Sequence, residues 1–308
     1  MSFKPDSNSE ILIIYEVKMA NPNGDPDDEN RPRMDPKTKT NIVTDVRLKR
    51  FFRDYVIERY GEMKVWVSKV DGANVDATTK LSKYADEEDM LEKCVDARLF
   101  GATITKKASG KQSKGEKASG KQSKGESISF TGPLQLTWGH SLHRVDMMDT
   151  RTITSIFSGR ETGSGNIGKD YRVYYSLLAF YGAFSWRRAQ TTGATVNDLK
   201  VFDNFLWDAL LSQSVTRSKI GHFPHLYLRV EWSDKDKFEG DLRRFIKVKE
   251  KKEAIRSLDD LELDFSALLE RVKGNKVYAR CSEQMASLCD KLKNTTQFTG
   301  LPHSGVTV

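Results

Sequence analysis

The chain has 308 residues, 38% of them hydrophobic and 30% charged, with a formal net charge of +7. One domain with large insertions and two separate domains both fit that length, and either can bury a sizeable core. No apolar run approaches the roughly 18 residues that span a bilayer, and the leading MSFKPDSNSE lacks the apolar centre of a signal peptide, so a cytoplasmic protein without a membrane partner is expected.

In chain order, Ile11, Ile13, Tyr15 and Val17 alternate as a strand. The strand feeds an Asn/Gly/Pro turn, Asn21-Pro22-Asn23-Gly24-Asp25-Pro26, and an acidic loop that runs to Pro36. Asn21, Asn23, Asp25 and Asp27 stand at alternate positions, as in a calcium loop. An EF-hand, however, needs Gly at its sixth position and Glu at its twelfth, where this chain has Pro26 and Pro32. The cluster of Asp25, Asp27, Asp28 and Glu29 leaves a magnesium-dependent nuclease open beside the favoured reading, a structural turn. Thr44 is placed to cap a helix that opens on Asp45, a favourable charge at a helix N-terminus. Leu48, Phe51, Phe52 and Tyr55 fall on one face of that helix, and Lys49, Arg50 and Arg53 on the other. With Arg47, these helix cations meet no compensating acid until Asp54, and the preceding loop adds Arg31 and Arg33, so the cluster exceeds an ordinary salt-bridged surface and is the best candidate for phosphate contact.

A second helix is predicted from about Glu87 to Phe100, ended by Gly101. The tract Lys106 to Glu126 contains KASGKQSKGE twice in tandem and carries a net charge of +5, which leaves +2 for the rest of the chain. Its composition predicts a flexible loop, and its lysines could add nonspecific phosphate attraction. Strands are predicted at Ile128 to Trp138 and Tyr171 to Phe180, a helix at Asp198 to Ser212, and a strand in which Leu226, Leu228, Val230 and Trp232 alternate. Between the first two of these strands, residues 146–172 are too long for a hairpin turn, and loops of that length are usually functional or disordered. Residues 233–308 read as a mainly helical extension whose clearest helix is Ser282 to Lys293.

Two HxxH pairs, His140 with His143 and His222 with His225, raise zinc binding or ribonuclease acid/base chemistry. On a strand, positions i and i+3 face opposite sides, so neither pair converges. Cys94, Cys281 and Cys289 form no CxxC. Cys281 and Cys289 flank a helical pattern as small hydrophobes, so neither a disulfide nor a structural zinc is expected. Without the insertion 61–126, the order strand, helix, strand, strand, helix, strand is that of an α+β, ferredoxin-like unit, the core of RNA recognition motifs. No clear RNP1 string is present; YGAF at Tyr181 to Phe184 is a partial echo.

The stretch from Asn21 to Tyr55, with SFTGPLQLTWGHSLH (Ser129 to His143) and GHFPHLYLRVEW (Gly221 to Trp232), resembles the multi-copy backbone subunits of CRISPR-associated type I effector complexes (Cascade). These belong to the repeat-associated RNA-binding (RAMP) superfamily, and the likeness is to the type I-B and I-C branch. The resemblance implies a noncatalytic subunit with no metal or cofactor. Its expected partners are guide RNA (crRNA), a target DNA strand, further copies of itself stacked head to tail, and other Cascade subunits. It also implies a ferredoxin-like palm over 1–232, interrupted by the insertion 61–126 and by a thumb hairpin at 146–172, with the extension 233–308 following. On that reading Arg47, Lys49 and Arg50 hold the guide backbone, with Arg31, Arg33, Arg53, Arg151, Arg160, Lys169 and Arg172 as further RNA contacts. Met147, Met148, Ile153, Ile156 and Phe157 form the thumb wedge. Relatives in type III complexes cut RNA with a loop aspartate, and processing endonucleases of the superfamily use histidine. A metal- or histidine-dependent RNA endonuclease therefore stands as an alternative, as does a stand-alone RNA-binding regulator.

Overall fold

The apolar run ILIIYEV forms the centre of the fold because it is buried on both faces. The computed structural model describes residues 3–105, 127–149, 152–155, 166–212, 215, 219–301 and 307–308. Strand β1 (Ser9–Ala20) turns Ile11, Ile13, Tyr15 and Val17 to one layer and Leu12 and Ile14 to the other. Its pattern is thus that of a doubly covered strand rather than a half-exposed one. Four short strands follow, β2 (Gly24–Asp25), β3 (Arg31–Pro32), β4 (Met34–Asp35) and β5 (Thr40–Val43), and then α1 (Asp45–Tyr60). The insertion holds α2 (Ala77–Leu81), α3 (Glu87–Lys93), α4 (Val95–Phe100) and the ribbon of β6 (Gly101–Thr105) with β7 (Ser127–Thr131). Next come β8 (Leu134–Leu136), β9 (Gly139–Ser141), β10 (Thr152–Ser155), β11 (Asn166–Lys169) and β12 (Val173–Phe184). Helices α5 (Trp186–Thr192) and α6 (Val196–Ser212) lead into β13 (His222–Glu231). The C-terminal part comprises β14 (Lys247–Glu250), β15 (Leu261–Asp264), α7 (Ser266–Val272), β16 (Lys276–Cys281), α8 (Ala286–Thr295) and β17 (Gln297–Gly300).

The main sheet runs β17-β16-β13-β1-β12-β9-β5-β4, with β8 also on β12. Among the described residues only β16 and β17 pair in parallel. One apolar layer joins the inner faces of α1 and α6 to the sheet, through Leu48, Phe51 and Phe52 and through Phe202, Phe205 and Leu206. The opposite layer packs Leu226, Leu228 and Val230 against Leu268, Val272, Leu288 and Leu292 of the C-terminal part. A third, small cluster under the insertion gathers Trp66, Tyr84, Met90 and Cys94. Glu10, fully buried in β1, ties the C-terminal part to the sheet. It accepts from Trp232 Nε1 at 2.8 Å, Glu239 N at 2.6 Å, Gly240 N at 2.8 Å and the Tyr181 hydroxyl.

Several expectations need correction. The extension is not mainly helical: it contributes four strands, two of which widen the main sheet, because Val277 and Ala279 alternate inward on β16. The helix expected over Glu87 to Phe100 is two helices, broken at Cys94. There the backbone turns extended, and the buried thiol lies 3.1 Å from the Tyr84 hydroxyl. The strand expected over Ile128 to Trp138 is two short strands, β7 and β8. A side chain at Gly132 would collide with the Phe100 and Gly101 backbone, so the chain crosses α4 there and cannot stay in one ladder. Cys281 and Cys289 form a disulfide, with Cα atoms 6.2 Å apart, where none was expected. The last residue of β16 and the first turn of α8 meet across a tight connection, which a reading of helical spacing alone does not reveal. The duplicated tract, Arg151, Ile156, Phe157 and Arg160 lie outside the described residues. No helix among the described residues is long and apolar enough to cross a membrane.

Candidate nucleic-acid interface

The Asn/Gly/Pro turn holds the start of α1. Asn23 Oδ1 accepts from Thr44 N at 2.9 Å and from Thr44 Oγ1 at 3.0 Å, and Thr44 in turn caps Arg47 N. Gly24 is forced by close approach, since a Cβ there would stand 2.0 Å from Asn30 Oδ1. The acidic loop is a small ladder of β2 on β3, turned at its tip by Glu29 and Asn30 in left-handed conformations. Three of its four clustered acids, Asp25, Asp28 and Glu29, are matched by cations. Asp25 Oδ2 accepts from Arg33 at 2.6 Å, and Asp28 stands 3.7 Å from Arg31 Nε. Glu29 takes both Lys169 Nζ, at 2.6 Å, and the Tyr171 hydroxyl, at 2.6 Å. The hydrogen bonds from Lys169 and Tyr171 hold the Glu29 carboxyl below its ordinary range. Arg31 lies 4.8 Å over the Tyr171 ring, so the loop is clasped to the foot of the β10–β11 ladder. Arg172 bonds Asp170 at 2.9 Å and donates to Met19 O at 2.8 Å.

The cations of α1 fare differently from one another. Arg53 is only 8% exposed. It pairs with Asp96 at 2.7 Å, which also accepts from Trp66 N and Val67 N. Its assignment to RNA contact is corrected: the guanidinium is consumed inside the fold by an acid that the insertion delivers. Lys49 bonds Asp45 at 2.8 Å and Arg50 bonds Asp54 at 2.5 Å, so the acid-free face read from the sequence is a salt-bridged one. Arg47 is the exception. It is half-buried, lies 4.5 Å over the Phe51 ring, and has no carboxylate within 4.0 Å among the described residues. Burial lowers its pKa, yet a guanidinium remains a cation at neutral pH. Lys219 stands 5.4 Å from the same ring, a second cation that no periodicity points to because it lies in the loop before β13.

Beneath Arg47, His222 stacks on Tyr15 with centroids 5.8 Å apart. Its Nδ1 lies 2.6 Å from Lys219 O, and burial, reinforced by Arg47, pushes its pKa down to about 3. His225 Nδ1 pairs with Ser282 Oγ at 2.9 Å, and its Nε2 lies 3.1 Å from Glu16. Burial opposes ionisation of Glu16, but hydrogen bonds from His225 and Tyr175 outweigh it and lower that pKa. His143 accepts from Leu177 N at 3.1 Å, while His140 lies on β9 between Ala179 of β12 and Ile42 of β5. The histidines thus serve separate structural networks and do not face one another. Among the described residues no group of three or more His, Cys, Asp or Glu is placed to hold a metal ion.

Of the wedge residues, Met147 packs partly buried against the main core and bridges Val173, and Met148 N donates to Arg172 O at 2.8 Å. They form the root of the segment rather than a presented edge. Ile153 lies in β10, opposite Gly168.

Residues 7–266 match the family described as CRISPR-associated protein Cas7. A protein of Haloferax volcanii, "CRISPR-associated protein Cas7", is 31% identical over 288 residues, covering 87% of this chain and 83% of its own length. Two solved chains are similar at lower identity. One, of a "CRISPR RNA-guided surveillance complex, pre-nicking", gives a TM-score of 0.45 at 12% identity over 76% of this chain and 84% of that one. The other, of a "CRISPR RNA-guided surveillance complex", gives 0.48 at 13% identity over 90% of each.

Proposed function

Because the chain belongs to the CRISPR-associated Cas7 family, we propose that it is the crRNA-binding backbone subunit of a type I effector complex, stacking in copies along the guide. A head-to-tail interface whose rotation does not close gives an open filament of this kind. Sequence specificity would then come from pairing between guide and target DNA, with the protein reading backbone and shape.

Arg47 carries this reading. A cation without a carboxylate partner among the described residues, held at a capped helix start by Asn23 and Thr44, is what a phosphate contact requires. Lys219 lies beside it, and Lys49 and Arg50 would join by exchanging their carboxylates for phosphate. We read β1, α1, β8 with β9, β12, α6 and β13 as a ferredoxin-like palm. The neighbour order β13-β1-β12-β9 supports this, being fourth, first, third and second in sequence. The β10–β11 ladder supports a thumb over residues 146–172, and the clasp of Glu29 on Lys169 and Tyr171 would set its angle. Asp25, Asp28 and Glu29 are engaged by Arg33, Arg31, Lys169 and Tyr171, which favours a noncatalytic subunit.

The test is a salt titration of single-stranded RNA binding. In Arg47→Ala the slope of log affinity against log salt should fall by about 0.7, the value for one lost phosphate contact. An unchanged slope in a folded variant would remove Arg47 from the interface. Labelled RNA and DNA incubated with magnesium or manganese should remain intact; cleavage abolished by Asp25→Ala or His140→Ala would favour the endonuclease.

A further inference from the structure

Trp138 is 55% exposed, yet the backbone around it is anchored. Thr137 N donates to Tyr181 O at 2.9 Å, and Arg243, itself held by Asp241 at 2.7 Å, donates to Trp138 O at 2.8 Å. Gly139 lies so close over Phe180 that a Cβ would stand 2.3 Å from the ring. A large indole is therefore presented to solvent by a rigid support. It forms one wall of a cleft of about 500 Å³ whose other walls include Met34 and Met147, with Asp28, Arg31 and Arg33 between them.

The charge in this cleft is balanced. Arg33 is paired with Asp25, and Arg31 is flanked by Asp28 and Glu29. A phosphate would meet carboxylates as well as guanidinium groups, so the cleft does not favour an anion. It suits a flat, uncharged group with a π face and a hydrogen-bonding edge. The Asp28 side chain is 60% exposed and, although it stands 3.7 Å from Arg31 Nε, its carboxylate has lone pairs left to accept from a ring amino or imino group, and Arg31 can donate to a ring carbonyl. We infer that this cleft is a nucleobase pocket, in which one unstacked base of a bound single strand seats on Trp138 and turns its polar edge to Asp28 and Arg31. The inference rests on the proposed RNA-binding function and adds to it a site that takes the base rather than the backbone.

The test compares a labelled single-stranded RNA with an abasic ribose-phosphate chain of equal length, at one salt concentration. Stacking of a base on an aromatic side chain predicts that Trp138→Ala weakens binding of the RNA by about tenfold, with a smaller loss in Trp138→Phe, which keeps a π face. Binding of the abasic chain should not change in either variant. Equal losses on both chains, or no loss on either, would overturn the pocket while leaving the backbone contacts of Arg47 standing. A wild-type protein that binds neither chain would overturn both.

Discussion

Arg47 and Arg53 share one helix, and removing each should register in a different experiment. Arg53→Ala leaves Asp96 buried without its partner, a change that typically costs about 3–5 kcal/mol, so denaturant unfolding should show a large loss of stability. Arg47→Ala should leave the unfolding midpoint nearly unchanged and act on RNA binding alone. His222 adds a pH dependence. Its native pKa, pushed down to about 3 by burial, lies below the ordinary value of 6.5, so the unfolded chain takes up the proton first as pH falls. The stability that neutral His222 contributes is complete above pH 6.5 and is lost towards pH 3, at about 1.4 kcal/mol per pH unit. In His222→Phe, which preserves the stack on Tyr15, the slope of unfolding free energy against pH should flatten by one proton across that window. An unaltered slope would place the acid sensitivity elsewhere. The basic residues of α1 were legible in the sequence, but not their separate fates. Those are set by Asp96, which arrives from the insertion, and by acids one turn away.

At the scale of elements, the disulfide joins β16 to α8 across a short connection and should act chiefly on the unfolded chain. For a sequence separation of 8, loop-closure entropy gives about 2.5 kcal/mol, so the Cys281→Ala/Cys289→Ala variant should unfold at lower temperature, matched by reduction of the wild type. Equal melting of oxidised and reduced protein would show that packing of Leu288 and Leu292 already holds α8 in place. For the proposed thumb, replacing residues 150–165 with a short Gly/Ser linker spares Met147 and the Glu29–Lys169 contact. It should leave a folded protein that no longer forms regular RNA-bound filaments. Elements with strong local periodicity, such as β1, α1, α6 and β13, were legible because their apolar spacing matches the face they bury. The strands of the C-terminal part were not. They are short, and β17 exists only because β16 offers it an edge.

For the whole molecule, the family was legible from the Asn/Gly/Pro turn and the segments around Trp138 and His222, each of which has a structural task here. Asn23 latches α1, Gly139 fits over Phe180, and Gly221 passes so close to Lys18 O that a side chain would collide. What the sequence did not disclose is the exposure of Trp138, because a tryptophan on a strand pattern is ordinarily core and only the three-dimensional support turns it outward. The proposed assembly of copies of this chain on a guide RNA is checked by purifying the protein with its bound nucleic acid, sequencing that nucleic acid, and measuring the mass of the particle. Uniform small RNAs derived from CRISPR repeats, each carrying a fixed whole number of protein copies, are the expected result; heterogeneous RNA on a monomer would overturn the backbone assignment.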